Sequence, residues 1–326
     1  MNTHPYDLLT PDLVIDAVES VGYLSDVRLL ALNSYENRVY QVGIEEGEPL
    51  IAKFYRPERW SDEQIMEEHR FSLELQAAEI SVVAPLVDSS GQSLHNFQGF
   101  RFALFPRRGG YPPELDNPDN LLVLGRTLGR IHAVGRAGSF RVRPQLSVER
   151  MLVQSREFLL DGFIPQELVP AYDSLTADLL GMVNTVMGEI RPGDMSRIHG
   201  DCHVGNILWR DDTAHFVDLD DCCTAPAMQD LWMFLSGERH EREIQLSELI
   251  EGYSEFCDFD PRQLRWIEAL RTLRLTNYAA WLARRWEDPA FPRSFTWFNT
   301  GRYWSDHILE LREQLSALQE EPLRLL

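Results

Sequence analysis

The chain lacks the features that would direct it to a membrane, to nucleic acid or into an oxidising compartment. No uncharged apolar run approaches the roughly 20 residues of a bilayer-spanning helix. Residues 1–11 contain neither a basic nor an apolar stretch, so no secretory signal is expected. Basic charge is scarce, with 31 Lys and Arg against 51 Asp and Glu and a net charge of -20. That balance argues against nucleic acid or anionic lipid as a partner, since both attract a basic surface. Cysteine is also rare: the four stand at 202, 222, 223 and 257, without C-x-x-C spacing. Neither a disulfide framework nor a zinc site is indicated, and a reduced, cytoplasmic compartment is the natural expectation. There is no internal repeat and no low-complexity stretch.

What remains is long enough for two domains, and a hydrophobic content of 44% can fill their cores. The densest chemistry lies in Ile198-His199-Gly200-Asp201-Cys202-His203-Val204-Gly205-Asn206-Ile207-Leu208-Trp209, followed by Phe216-Val217-Asp218-Leu219-Asp220. An acid, an amide five residues on and a second acid after a short apolar strand make a set suited to phosphoryl transfer from ATP. One carboxylate takes the proton of the attacking hydroxyl, while an amide oxygen and another carboxylate hold magnesium on the nucleotide phosphates. The spacing Asp201 to Asn206 equals D-x-x-x-x-N of a kinase catalytic loop. Asp201 is therefore the candidate base, and Asn206 and Asp218 are the candidate metal ligands. Asp220 is expected on the same strand face as Asp218 by the period of two, sharing the metal, with Asp221 pointing away. His203 is read as orienting the loop or the acid, Asp230 as a cap or a brace for the loop backbone, and His132 as a core histidine.

The N-terminal third predicts the nucleotide side. A helix over 10–21 follows a Thr10-Pro11 cap, then strands over 29–32, 38–44 and 50–55 alternate as an antiparallel meander. The turn at 33–38 stands where a kinase carries its glycine-rich loop, yet it contains no glycine. Ser34 and Asn37 are its candidates for phosphate contact, through a hydroxyl and turn-tolerant backbone. Lys53 sits on an otherwise apolar strand, where an ammonium needs an anionic partner. The expected partners are the α/β-phosphates and a helix glutamate. Ser61-Asp62-Glu63-Gln64 reads as a capping box, and Glu68 shares the face of Phe71 and Leu75. Glu68 is chosen over Glu67, which lies about 100° round the helix and is expected in solvent. Residues 82–85 and 100–105 are read as further strands.

Pro and Gly crowd residues 106–113, which marks a hinge and a domain boundary. The expected fold is α+β, with a small sheet lobe over 1–106 and a mainly helical lobe over 107–326. Helices are predicted over 117–135, 147–160, 168–190 and from 241 onward, with Trp266, Trp281, Trp286, Trp297 and Trp304 in the last group. The cluster Arg284-Arg285-Trp286 is either a substrate wall or core packing.

These motifs carry a resemblance. Residues 33–40, 53–60, the H-G-D-x-H-x-x-N segment at 199–206 with its flanks, and Asp218-Leu219-Asp220-Asp221 resemble the bacterial stress response kinases. That family of Ser/Thr protein kinases lies within the aminoglycoside-phosphotransferase and choline-kinase-like superfamily. The likeness runs through nearly the whole chain, including residues 288–292. It implies a two-lobed, protein-kinase-like fold in a cytoplasmic monomer that uses ATP and Mg2+, phosphorylates itself and other proteins on Ser or Thr, and protects bacteria under stress from programmed death. It also implies Asp201 as proton acceptor, Asn206 and Asp218 as magnesium ligands, and Ser34 and Lys53 as nucleotide contacts. The chain departs from typical protein kinases in having D-L-D for D-F-G and no A-P-E segment, which argues against activation-loop control. Two other readings stand beside this one. The first is a small-molecule kinase for an amino alcohol, sugar or aminoglycoside, whose cationic substrate the charge of -20 would attract. The second is a scaffold that binds a partner without chemistry.

Overall fold

The computed structural model describes residues 6–326; the first five residues of the expected small lobe, part of the 1–11 stretch read as carrying no secretory signal, lie outside the described residues. Helix α1 (Pro11–Ser20) begins where the Thr10 side chain accepts the backbone N–H of Leu13, with proline filling the first turn. It buries Val14, Ala17 and Val18 against a sheet that starts with β1 (Ser25–Ala31), β2 (Arg38–Ile44) and β3 (Leu50–Phe54). Helix α2 (Asp62–Ala77) has the reciprocal Ser61–Gln64 capping box that its sequence predicts. Strands β4 (His95–Phe97) and β5 (Phe100–Pro106) complete an antiparallel sheet in the order β1-β2-β3-β5-β4.

That order makes β3 the central strand, with Lys53 opposite Val39 on one side and Ala103 on the other. One expected strand is missing. Residues 82–85 form only a single bridge, Val82 to Phe216, because they leave the sheet and cross to the second half of the chain. Val83 N–H donates to the Phe216 carbonyl, and Phe216 N–H donates to that of Ser81.

After Pro106 the chain crosses over, and Tyr111 bridges Trp209. Helix α3 (Pro118–Arg136), capped by Asn117, is followed by a wide π-turn (Glu149–Val153) running into α4 (Gln154–Leu160), then by α5 (Val169–Met187). Two short antiparallel pairs come next: β6 (Met195–Ile198) pairs with β9 (Cys223–Pro226), and β7 (Ile207–Arg210) with β8 (Thr213–Phe216). The remainder is helical: α6 (Met228–Leu231), α7 (Arg239–Ser254), α8 (Ile267–Arg284), α9 (Ala290–Ser294) and α10 (Gly301–Ala317). Helices α3 and α7 touch backbone to backbone, and a Cβ at Gly125 would collide with the Leu249 carbonyl.

The cores divide accordingly. One cluster lies between α1 and the sheet around Val42, Phe54 and Phe102, and a large one surrounds β6–β9, α3, α7 and the start of α8. A third holds Tyr172, Phe291 and Trp304 at the far helical end. Trp266 and Trp304 are core residues, while Trp286 packs edge-on against Phe298. The whole is an α+β architecture in which the central strand β3 and the loops after β6 and β8 face one another. No helix among the described residues is long and apolar enough to cross a membrane.

Candidate active site

The loop between β6 and β7 is shaped from behind. Buried Asp230, in α6, accepts the backbone N–H groups of His199 and Gly200, each at 2.8 Å, and meets Nε2 of buried His132 at 3.0 Å. Asp230 thus braces the loop, and His132 is a core histidine, also bonded to Tyr253 at 3.2 Å. Gly200 turns the chain at φ +86°, where a Cβ would strike the Asp221 carbonyl as well. Both constraints deliver Asp201 to the cleft.

Asp201 has three neighbours. The Asn206 amide donates to its backbone carbonyl at 2.9 Å, Nε2 of His203 lies 3.5 Å from Oδ2, and Arg274 of α8 donates to Oδ1 at 2.5 Å. Burial opposes ionisation of Asp201, but the contacts from His203 and Arg274 outweigh it and hold the carboxyl below the usual carboxylate range. His203 also accepts Gly205 N–H, closing the turn that carries Asn206.

The second acid arrives by a different route from that expected. Strand β8 stops at Phe216, and Asp218 takes a left-handed conformation (φ 61°, ψ 64°) before a tight turn over Leu219–Asp221. Asp218 and Asp220 therefore do not share a strand face by alternation. They converge because the turn folds both toward Lys53, whose Nζ lies 2.9 Å from Asp218 and 3.3 Å from Asp220. Asp218 is half-exposed, whereas Asp220 is buried and its other oxygen is held by Arg59 and by Asn37 Nδ2. One Asp220 oxygen is thus taken by Arg59 and Asn37, while the other faces Lys53 without a hydrogen bond. Asp221 does not point away either, for it pairs with Arg59 at 2.7 Å on the cleft wall.

Lys53 is buried, so desolvation works against its charge, yet Asp218, Asp220 and Glu68 together hold it above the ordinary lysine range. Glu68 is the more distant partner at 3.8 Å, and its Oε2 is a buried atom without a hydrogen bond. Burial raises Glu68 to about 7, against the pull of Lys53. Both shifts are upward, which favours the charged form of Lys53 and the neutral form of Glu68, because the aspartates lie nearer to Lys53 than Glu68 does. Glu67, expected in solvent, is buried: its carboxylate accepts the N–H groups of Arg141, Val142 and Arg143 at 2.7–2.9 Å. The helical angle separates it from Glu68, but a second element covers that side as well.

In the turn at 33–38, Ser34 lines the cleft with its hydroxyl donating to the Asn37 carbonyl. Asn37 is turned inward, with Nδ2 donating to Asp220 and Oδ1 accepting Arg56 N–H. Glycine is replaced here by side chains that tie the turn down.

Together these groups line a cleft of about 1320 Å³ between the sheet and the helices. Its apolar lining includes Val39, Ile51, Val83, Phe105, Leu208 and Val217. Its outer wall is one face of α8. Among cleft residues the sequence reading did not single out are Arg274, Arg59 and Glu36. The signal for Arg274 was present: residues 274, 278, 281 and 285 recur at helical spacing, but nothing in the spacing says that this face meets a loop 73 residues away.

Comparison with known proteins agrees with this geometry. The chain matches the profile of a phosphotransferase enzyme family over residues 28–267. It is 46% identical over 321 residues to stress response kinase A of Escherichia coli strain K12, covering 98% of this chain and 97% of that one. It is 44% identical over 327 residues to the Salmonella typhimurium strain LT2 protein named serine/threonine protein kinase RdoA, covering 99% and 98%. Among solved structures, amicoumacin kinase hAmiN in complex with AMP-PNP, Ca2+ and Ami superposes with a TM-score of 0.75 at 18% identity, covering 96% of this chain and 94% of that one. The microcompartment-associated aminopropanol kinase superposes with a TM-score of 0.70 at 18% identity, covering 95% and 98%. The structural likenesses show the shared two-lobed fold.

Proposed function

Because the chain belongs to the phosphotransferase enzyme family, we propose that it is a Ser/Thr protein kinase that uses ATP and Mg2+ to phosphorylate proteins, itself included. The relatives named as stress response and serine/threonine protein kinases support this reading, since the likeness extends over nearly the full length of both chains. Their names also support a role in bacterial stress response, and protection from programmed death by a cytoplasmic monomer belongs to the same proposal. One observation carries the chemistry: Lys53 from β3, Asp218 after β8, and Asp201 with Asn206 from one loop all line the same cleft.

The residues suit a divalent ion. Asp218 offers a half-exposed carboxylate, and Asn206, fixed through its amide nitrogen to Asp201, leaves its oxygen for an ion. Magnesium commonly takes one or two such ligands together with substrate phosphates. Bound there it supplies positive charge to the β- and γ-phosphates. The chain does the rest. Lys53 holds the α/β-phosphates with Glu68 behind it, and Ser34 covers the phosphates from the turn. Asp201 orients the acceptor hydroxyl and takes its proton. Asn37 and Asp220, bonded to each other, fix the positions of Lys53 and Arg59. In this reading residues 1–106 form the nucleotide lobe and 107–326 the acceptor lobe.

The test is labelled-phosphate transfer from Mg-ATP by the wild type and Asp201→Asn. Each is offered itself, a generic protein substrate, and a panel of aminoglycosides, choline and homoserine. Label on protein Ser or Thr, falling by about 10²–10⁴-fold in the variant while nucleotide binding persists, is the expected result. Label on a small molecule alone would overturn the protein-kinase reading, and equal turnover in the variant would remove Asp201 from its role.

A further inference from the structure

The acceptor side of the cleft carries charge opposite to that of the chain as a whole. Its wall is one face of α8 facing the segment around Arg150 and Gln154, and it presents Arg150, Arg274, Arg284 and Arg285 with no carboxylate of its own. Two of these arginines are neutralised from elsewhere: Arg274 by Asp201 at 2.5 Å, and Arg285 by Glu36 at 2.5 Å. The other two are not. Arg284 donates to the Gln154 carbonyl at 3.3 Å and lies over the Phe158 ring, while Arg150 lies 5.9 Å from the Trp60 ring centroid. Among the described residues neither has an acidic partner within 4.0 Å. Partial burial and the neighbouring Arg150 charge push Arg284 below the ordinary arginine range, as expected for two guanidiniums that share no counter-ion.

A cationic acceptor fits this wall poorly. Tyr278 and Trp281 stack on each other at 5.7 Å, and Arg285 lies over the Trp281 ring at 5.3 Å, so a guanidinium already occupies an aromatic face that would otherwise receive an ammonium. An amino alcohol or aminoglycoside would add like charge beside Arg150 and Arg284, whereas a carboxylate would satisfy both.

We propose that Arg150 and Arg284 form an anion subsite that selects Ser or Thr within acidic protein segments. The proposal rests on the protein-kinase reading and names the substrate class for it. Geometry sets the spacing. Arg284 is ten residues beyond Arg274 on α8, about 15 Å at ~1.5 Å per residue. An extended peptide covers that distance in about four to five residues. The selected acid therefore stands about four to five positions from the phosphorylated hydroxyl.

Three matched serine peptides test this, with glutamate, glutamine or lysine at the fourth and fifth positions on either side. Autophosphorylation and a small hydroxy acid, glycerate, are measured alongside. The wild type should show a KM roughly five- to tenfold lower for the glutamate peptide than for the glutamine peptide, with similar kcat, as for a charge-assisted contact worth about one decade. Combined Arg150→Ala and Arg284→Ala should bring that ratio to about one. Combined Arg150→Glu and Arg284→Glu should turn the preference toward the lysine peptide, a gain that misfolding cannot produce. A wild type that labels itself but treats the three peptides alike overturns the acidic-acceptor inference and leaves the kinase reading standing. Preference for glutamate that survives the double substitutions overturns it too. Label on glycerate, choline or an aminoglycoside and on no protein overturns both.

Discussion

The guanidinium of Arg274, in the middle of α8, lies 2.5 Å from the carboxylate of Asp201, which the loop between β6 and β7 presents 73 residues earlier. An arginine this close does two things to a general base: it keeps the carboxylate ionised, and it fixes which oxygen faces the cleft. Removing it by Arg274→Ala should lower kcat about tenfold or more, with little change in KM for ATP. The variant should also shift the acidic limb of the kcat profile. In its proposed role Asp201 works as the anion, and its carboxyl is held low, so activity should persist to low pH; without Arg274 the carboxyl should rise and the limb move upward in pH. A limb that stays in place while kcat falls would assign Arg274 to orienting Asp201 and not to keeping it ionised.

Glu68 supplies a pH dependence of the opposite kind. Burial raises its carboxyl from an ordinary 4.5 to about 7 in the folded chain. A group raised on folding contributes stability that is fully present below the unfolded value and is lost as pH climbs through the folded one. Between pH 5 and 8 the wild type should therefore lose Tm relative to Glu68→Gln, which stays neutral throughout. The same titration strengthens the pair with Lys53 above about pH 7. Parallel Tm curves for the two proteins would show that Glu68 is ionised across the whole range.

The elements that sequence made legible are those whose cause is local. The capping box at Ser61–Gln64, the Thr10 cap and the meander from Arg38 to Phe54 were all readable from period and cap chemistry. The D-x-x-x-x-N spacing was legible for the same reason, since one loop sets it. Reading failed where a distant segment decides the outcome. Residues 82–85 have strand composition, but Val83 N–H donates to the carbonyl of Phe216, at the end of β8 in the other half of the chain. Glu67 is on the polar side of α2 until residues 141–143 arrive to cover it. Asp220 reaches the side of Asp218 through a turn that begins at a left-handed residue, and not by alternation, which ends with β8.

Asp230 offers a test of the loop brace that is independent of catalysis. It is fully buried, and it accepts two backbone N–H groups and faces His132. Asp230→Ala leaves two buried donors and a buried imidazole without their partner, and should cost about 3–5 kcal/mol. Asp230→Asn keeps one acceptor oxygen and should lose less. Denaturant midpoints order the three proteins: wild type highest, then Asn, then Ala. An alanine variant as stable as the wild type would mean that the loop holds its shape without this carboxylate.

Glu36 joins the phosphate-side turn to the helical wall. Its buried carboxylate accepts Trp281 Nε1 at 2.6 Å and meets Arg285 at 2.5 Å, with Arg56 and Arg59 at 3.7 and 3.8 Å. Beside it, Tyr35 rests on Phe295 with ring centroids 4.7 Å apart. The turn that lacks glycine is thus held down by charge and aromatic packing from α8 and α9, and backbone suppleness plays no part. Glu36→Ala leaves three arginines facing one another without their common anion, so the turn should lift. Hydrogen exchange over residues 33–38 in the nucleotide-free protein should be slow in the wild type and should approach that of an exposed loop in the variant. Nucleotide should then enter and leave faster, because the step that opens the cover no longer breaks a buried ion cluster. Unchanged protection of 33–38 in Glu36→Ala would shift the cause of the closed turn to the Tyr35–Phe295 contact, which Tyr35→Ala would then release.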